Sequence, residues 1–245
     1  MLTSTPPPNT YSSEFFQEYE HGSLTSAKRI LPIVFALVHP HSVVDVGCGV
    51  GTWARAAMDL GVADVVGIDG DYIDTTTLHV PPKHFLQRDL NHPLQLDRRF
   101  DLAVSVEVAE HLTDDLAESF VGELTKLAPA VLFSAAIPHQ DGKHHVNERW
   151  PSYWAGLFGQ VGFLPFDVVR PQVWRDPEVE PWYAQNVVLY LSGESAARTA
   201  LTPATPDGLF DLVHPELYTA RITRPRLRHL LRALPGAVGR RLART

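Results

Sequence analysis

Ser42-Val43-Val44-Asp45-Val46-Gly47-Cys48-Gly49-Val50-Gly51-Thr52-Trp53 carries an apolar strand into three alternating glycines and then into a helical stretch. Glycine has no Cβ, so a turn built on Gly47, Gly49 and Gly51 reaches positive φ and lets a ligand approach the backbone. A dinucleotide-binding turn reads G-x-G-x-x-G, which would put a third glycine at Thr52. Here the pattern is D-x-G-x-G-x-G, led by Asp45, which is placed to accept from a cationic amine.

Two further acidic residues stand where strands end. Residues 63–68 read as the next strand and finish at Asp69, where a carboxylate can take both hydroxyls of a ribose. Residues 84–88 read as a third and are followed by Asp89, available to an adenine amino group. Glycines serving only tight strand-to-helix packing would not require acids at three successive strand ends. Over residues 11–193 the chain resembles the class I S-adenosylmethionine-dependent methyltransferases. The resemblance implies S-adenosylmethionine as cofactor, held by Asp45, Gly47, Gly49, Gly51, Asp69 and Asp89, with Glu107 lining its pocket.

Around the turn, strands and helices alternate. Helices are expected at 24–38, 52–60 (closed by Gly61), 114–127 and 151–161, and further strands at 101–106, 130–137 and 186–191. Alternation of this kind gives an α/β, Rossmann-like, doubly wound sheet that is mostly parallel. The resemblance completes it as seven strands, with 166–174 pairing antiparallel to 186–191 at one edge. Residues 11–20 (YSSEFFQEYE) read as an N-terminal helix, either a lid over the cofactor or a helix packed on the sheet.

With 245 residues and 44% hydrophobic content the chain can bury one proper core. Cys48 is the only cysteine, so no intrachain disulfide forms; inside the turn it suits a small apolar filler. The first ten residues lack the basic and hydrophobic regions of a secretory signal, no run is long enough to span a membrane, and a soluble cytoplasmic protein is expected. The formal charge is −7, and the residues from Arg221 onward contain eight arginines and no Asp or Glu, so the body is more acidic still. Such a body is a poor nucleic-acid platform.

The chemistry gathers in two places. After the fourth strand comes Glu107-Val108-Ala109-Glu110-His111-Leu112; a helical turn there sets Glu107, Glu110 and His111 at i, i+3 and i+4 on one face. After the fifth comes Pro138-His139-Gln140-Asp141-Gly142-Lys143-His144-His145-Val146-Asn147-Glu148-Arg149-Trp150, returning to the same sheet edge. These stretches resemble the small-RNA 2′-O-methyltransferases and the ubiquinone-pathway O-methyltransferases, which carry E-x-x-E-H and a later His to hold a divalent ion. The resemblance implies Glu107, Glu110, His111 and His145 as ligands, with His144 as the neighbour able to replace His145, and Mg²⁺ ahead of Mn²⁺, Fe²⁺ or Zn²⁺. A cation on a hydroxyl oxygen favours its alkoxide, and chelating two neighbouring oxygens orients the one that faces the methyl. Without a metal, His111, His139, His144 or His145 would serve as general base. Trp150, Tyr153, Trp154, Trp174, Trp182 and Tyr183 offer apolar faces to an acceptor, and residues 176–181 a loop to fold over it.

Past Gly193 the chain turns Ala-, Thr- and Pro-rich, so residues 1–193 are expected as the catalytic domain and 194–245 as linker and extension. In that extension Leu227, Leu230, Leu231, Leu234 and Val238 follow helical spacing opposite arginines, which suits docking on the body, a homodimer or protein contact, or an anionic membrane surface. Residues 211–218 resemble the C-terminal part of bacterial sugar- and glycan-associated methyltransferases. The expectation is methyl transfer to a hydroxyl of a sugar-bearing or vicinal-diol small molecule, such as a glycan precursor or natural product. The alternatives are metal-free N- or O-methylation of another acceptor, and a non-catalytic cofactor-binding scaffold.

Overall fold

A computed structural model describes residues 13–94, 96–205 and 210–223, with the backbone alone for 13–20. Helix α1 (Ser13–Val38) is one continuous element joining the two N-terminal helical stretches. Tyr11 and the side chains expected to form a lid lie outside the described residues, as do the arginine-opposed leucines of 227–238. No described helix is long and apolar enough to cross a membrane.

Seven strands form one sheet: β1 (Ser42–Val46), β2 (Asp64–Asp69), β3 (Phe85–Gln87), β4 (Leu102–Val106), β5 (Ala130–Ser134), β6 (Phe163–Phe166) and β7 (Val188–Ser192), in the order β3-β2-β1-β4-β5-β7-β6. The first five are parallel, and β7 runs antiparallel to both β5 and β6. Alternate residues of each strand enter two separate cores. Val43, Val65, Leu102 and Val104 pack under α1 and α2 (Thr52–Asp59). Val44, Val46, Ala103, Val131 and Phe133 pack under α3 (Ala117–Leu127) and α4 (Pro151–Gln160). Burial on both faces makes these strands nearly continuous apolar runs, and covers a parallel sheet on both sides.

The stretch 166–174 is not a strand. β6 starts earlier, after Gly162 at φ 80°, and Pro171 then stands in the first turn of a short helix, α5 (Arg170–Val173), where its missing N–H costs nothing. Helix α6 (Pro181–Asn186) leads into β7, and α7 (Gly193–Ala197) follows it directly. The first compact unit extends to Leu212, beyond the boundary expected at Gly193, because Leu201 packs on one core and Phe210 is buried in the other. The second unit begins at Val213 and contains α8 (Pro215–Thr223). The strand order reverses at β1 and β4, so the glycine turn after β1 and the Glu107 segment after β4 flank the crevice where ligands bind in open α/β sheets.

Candidate active site

The glycine turn is built as its sequence demands. Gly47, Gly49 and Gly51 take φ of 78°, 55° and 86°. The amides of Gly47 and Cys48 donate to the Ile68 carbonyl at 2.8 and 3.1 Å, tying the turn to the end of β2. A Cβ on Gly47 would sit 2.4 Å from a methyl of Val108, so the β4 segment closes directly over the bend. Cys48 is buried with its Sγ against Gly67, the filler role expected of it, and burial pushes its thiol above its ordinary range.

Asp45 is only 2% exposed, and one of its oxygens accepts from Ala54 N at 3.0 Å. Gly51 has no side chain to cap α2, so the aspartate a strand away supplies the cap in its place. Burial pushes its carboxyl up to about 7. One oxygen of Asp45 thus braces the start of the helix that follows the glycine turn. Asp69 accepts from Gly49 N at 2.6 Å with one oxygen, and from Gly70 N at 2.7 Å and the Tyr72 hydroxyl with the other. It sits at the β2 terminus as expected, with the phenol of the half-exposed Tyr72 where a ribose hydroxyl was anticipated. Asp89 lies in the open after β3, accepting from Asn91 and His92.

The helical turn expected to align Glu107, Glu110 and His111 is shorter than the spacing suggested. Glu107 takes φ 54°, in the left-handed region, and a three-residue 3₁₀ turn covers only Ala109–His111. The kink swings Glu107 toward a buried amide group: it accepts from Asn186 Nδ2 at 3.0 Å and from Gln140 Nε2 at 3.0 Å, while Gln185 Nε2 bridges Gln140 and Asn186. Its amide donates to Ser134. Nothing in the spacing of Gln140, Gln185 and Asn186 announced this group, because one amide from the histidine loop and two from the end of α6 carry no shared period.

Glu110, His111 and His145 do converge, with one potential ligand atom of each within 4.8 Å of the others. Glu107 and His144 are not part of that cluster. The cause is a backbone clasp: the Glu110 carbonyl accepts from Val146 N at 2.8 Å and Asn147 N at 3.0 Å, which folds the long loop back over the 3₁₀ turn. The imidazoles of His111 and His145 meet edge to face with centroids 5.0 Å apart. His111 is bonded through the backbone of His144, and burial followed by the neighbouring His145 holds it down to about 4, so it is neutral near pH 7. Both carboxylate oxygens of Glu110 are buried without a hydrogen-bond partner. Burial and then the charge of Glu107 drive its carboxyl well above the usual range, tempered by nearby backbone amides.

The aromatic residues divide. Trp154 is buried against Phe133, and Tyr183 packs on Trp53, while Trp150, beside the loop, is 37% exposed. The 176–181 loop is pinned along α1, where Arg29 pairs with Asp176 at 2.7 Å and Glu180 N donates to Ser26.

A family profile described as "Methyltransferase domain" matches residues 16–169. A search of curated proteins gives no significant match. Among solved structures, the plantazolicin methyltransferase BpumL in complex with SAH aligns with a TM-score of 0.54 at 14% identity, covering 77% of this chain and 91% of that one. Magnesium protoporphyrin IX methyltransferase from Synechocystis PCC 6803 with bound SAM aligns with a TM-score of 0.50 at 16% identity, over 75% and 86%. Human N-acetylserotonin methyltransferase aligns with a TM-score of 0.50 at 16% identity over 77% of this chain, which spans 60% of the human one. At these identities the likeness is one of fold, and the match of the domain profile over most of the sheet adds the family. The chain belongs to the methyltransferase domain family, as an S-adenosylmethionine-dependent methyltransferase of class I fold.

Proposed function

We propose that the chain methylates a hydroxyl oxygen of a sugar-bearing or vicinal-diol small molecule, at a site where Glu110, His111 and His145 hold a divalent cation. The observation that carries this reading is Glu110, a buried carboxylate with neither oxygen hydrogen-bonded, facing two imidazoles. Burial and the charge of Glu107 drive this carboxyl toward its protonated form, and a cation shared with the imidazoles of His111 and His145 would stabilise the ionised form. Two imidazoles and one carboxylate suit Mn²⁺, Fe²⁺ or Zn²⁺ better than Mg²⁺, which prefers oxygen donors and waters. The donor set therefore reverses the preference for Mg²⁺ that the family resemblance suggested.

Bound there, a cation would acidify a coordinated hydroxyl and fix it beside a neighbouring oxygen of the same acceptor. The chain's own groups do the remaining work. The glycine turn and the N-terminus of α2 receive the carboxylate end of the methyl donor, and Asp69 its ribose. Gln140, belonging to the histidine loop, is bonded to Glu107 beside the turn, so donor and acceptor sides share one rigid amide group. The exposed face of Trp150 offers an apolar surface to a sugar or ring.

The test is turnover with S-adenosylmethionine across a panel of vicinal diols and their singly blocked analogues, with and without chelator. Expected are loss of turnover in chelator, recovery with Mn²⁺, preference for the free diol, and unchanged affinity for S-adenosylhomocysteine throughout. Full turnover in chelator would remove the cation from this reading.

A further inference from the structure

Glu148 makes more contacts in the histidine loop than any sequence pattern suggests. One oxygen accepts from His139 N at 2.8 Å; the other accepts from Asp141 N at 2.8 Å and pairs with His145 Nδ1 at 3.0 Å. The loop it fills is strained: His139, Asp141 and His144 all take positive φ, at 70°, 68° and 61°. Two of those three residues have their amides bound to this one carboxylate. Gly142 completes the fit from the other side, since a Cβ there would fall 2.0 Å from His145 Nε2.

We propose that Glu148 is the positioning residue of the site, fixing the ring orientation and the tautomer of His145. An ionised carboxylate only accepts hydrogen bonds, so the nitrogen facing it, Nδ1, must carry the proton. In the neutral ring Nε2 then keeps its lone pair. That atom lies 4.0 Å from Glu110 Oε1, too far for a hydrogen bond and about half an ångström wider than the roughly 3.5 Å between two donors each at about 2.0–2.2 Å from one tetrahedral ion. A carboxylate holding the outer nitrogen of a ligating histidine is a recurrent way to orient such a ligand. With side chains of Glu148 and His145 only 20% and 12% exposed, the pair is shielded enough to hold one geometry. The tautomer itself is independent of the cation reading; its effect on cation affinity rests on it.

Nitrogen-15 NMR of the metal-free full chain, labelled at histidine and held above the pH where imidazoles titrate, reads the tautomer directly. The His145 signal is assigned by its absence in His145→Gln. Expected is a single Nδ1–H tautomer in the parent chain and a mixed population in Glu148→Met. In the second arm, Co²⁺ affinity falls 10- to 100-fold in Glu148→Met, while S-adenosylhomocysteine affinity is unchanged. A parent His145 protonated at Nε2, or a tautomer indifferent to Glu148, overturns the proposal. So does equal loss of Co²⁺ and S-adenosylhomocysteine binding, the mark of a merely structural role. A parent chain that binds no Co²⁺ yet shows the Glu148-dependent tautomer sinks the cation reading alone and supports this one.

Discussion

Asp45 holds its proton more tightly folded than unfolded, because burial raises its carboxyl to about 7 while the chain in water releases it near 3.8. Between those two values the unfolded state has lost a proton the folded state keeps. Stability at this residue is therefore fully present below pH 4 and declines as pH rises through 7. Asp45→Asn keeps an oxygen for Ala54 N and removes the titration. Its stability relative to the parent should improve from pH 5 to pH 8, with an upper bound on the order of 3 kcal/mol at 1.36 kcal/mol per pH unit, nearly all of it gained below pH 7. Urea unfolding at both pH values measures this, and an offset identical at the two would refute it. Gly47→Ala tests the same bend from above: left-handed strain of about 1–2 kcal/mol adds to about 1–3 kcal/mol of overpacking against Val108. Both unfolding free energy and S-adenosylhomocysteine affinity should fall. Residues such as Gly47 and Asp69 were legible in the sequence because a bend next to an apolar strand leaves few other choices. Glu148 was not, since a lone acid three places after a histidine has no period and its partners are mostly backbone amides.

Among the elements, the segment between β4 and α3 is where spacing misled. Reading Glu107, Glu110 and His111 onto one helical face required a helix, whereas the left-handed Glu107 supplies a kink that turns its carboxylate to the amides of Gln140 and Asn186, near Glu110 but outside the cluster that Glu110 forms with the two histidines. Convergence of Glu110, His111 and His145 survives because it depends on the clasp between Glu110 O and the amides of Val146 and Asn147, which periodicity cannot register. Gly142 is the pivot of that clasped loop. Gly142→Ala should displace the His145 ring and cut turnover and Co²⁺ affinity about 10-fold or more, the range seen when a ligand loses its support, with unfolding free energy nearly unchanged. Arg170 makes the complementary case of an element held by charge: it is 1% exposed, bidentate to Asp167, and donates to Phe210 O at 2.8 Å and Gln185 O at 3.3 Å. Removing one partner of a fully buried pair costs about 3–5 kcal/mol. Asp167 is 22% exposed, so Arg170→Met should cost less, about 2 kcal/mol, and calorimetry should find the melting temperature lower by about 4–8 °C.

For the molecule as a whole, alternation of strand and helix was enough to give the doubly wound sheet, because each buried strand has to feed two cores. Stability and cation binding are coupled through Glu110, and that coupling makes a prediction with two opposite signs. A ligand that binds only the folded state stabilises by RT ln(1 + [L]/Kd), about 2.7 kcal/mol at a hundredfold excess over Kd. In a chain of this size that raises the melting temperature by about 5–10 °C. Mn²⁺ should therefore protect the parent chain. Glu110→Gln replaces a buried carboxyl, already driven toward its protonated form and without hydrogen bonds, with a neutral group of the same shape, so without metal it should melt no lower than the parent, and Mn²⁺ should not protect it. A structural acid would behave the other way, losing stability on neutralisation whether or not metal is present. Melting curves of both proteins in chelator and in Mn²⁺ separate these cases, because only a cation ligand can be unfavourable to the empty fold and favourable to the loaded one.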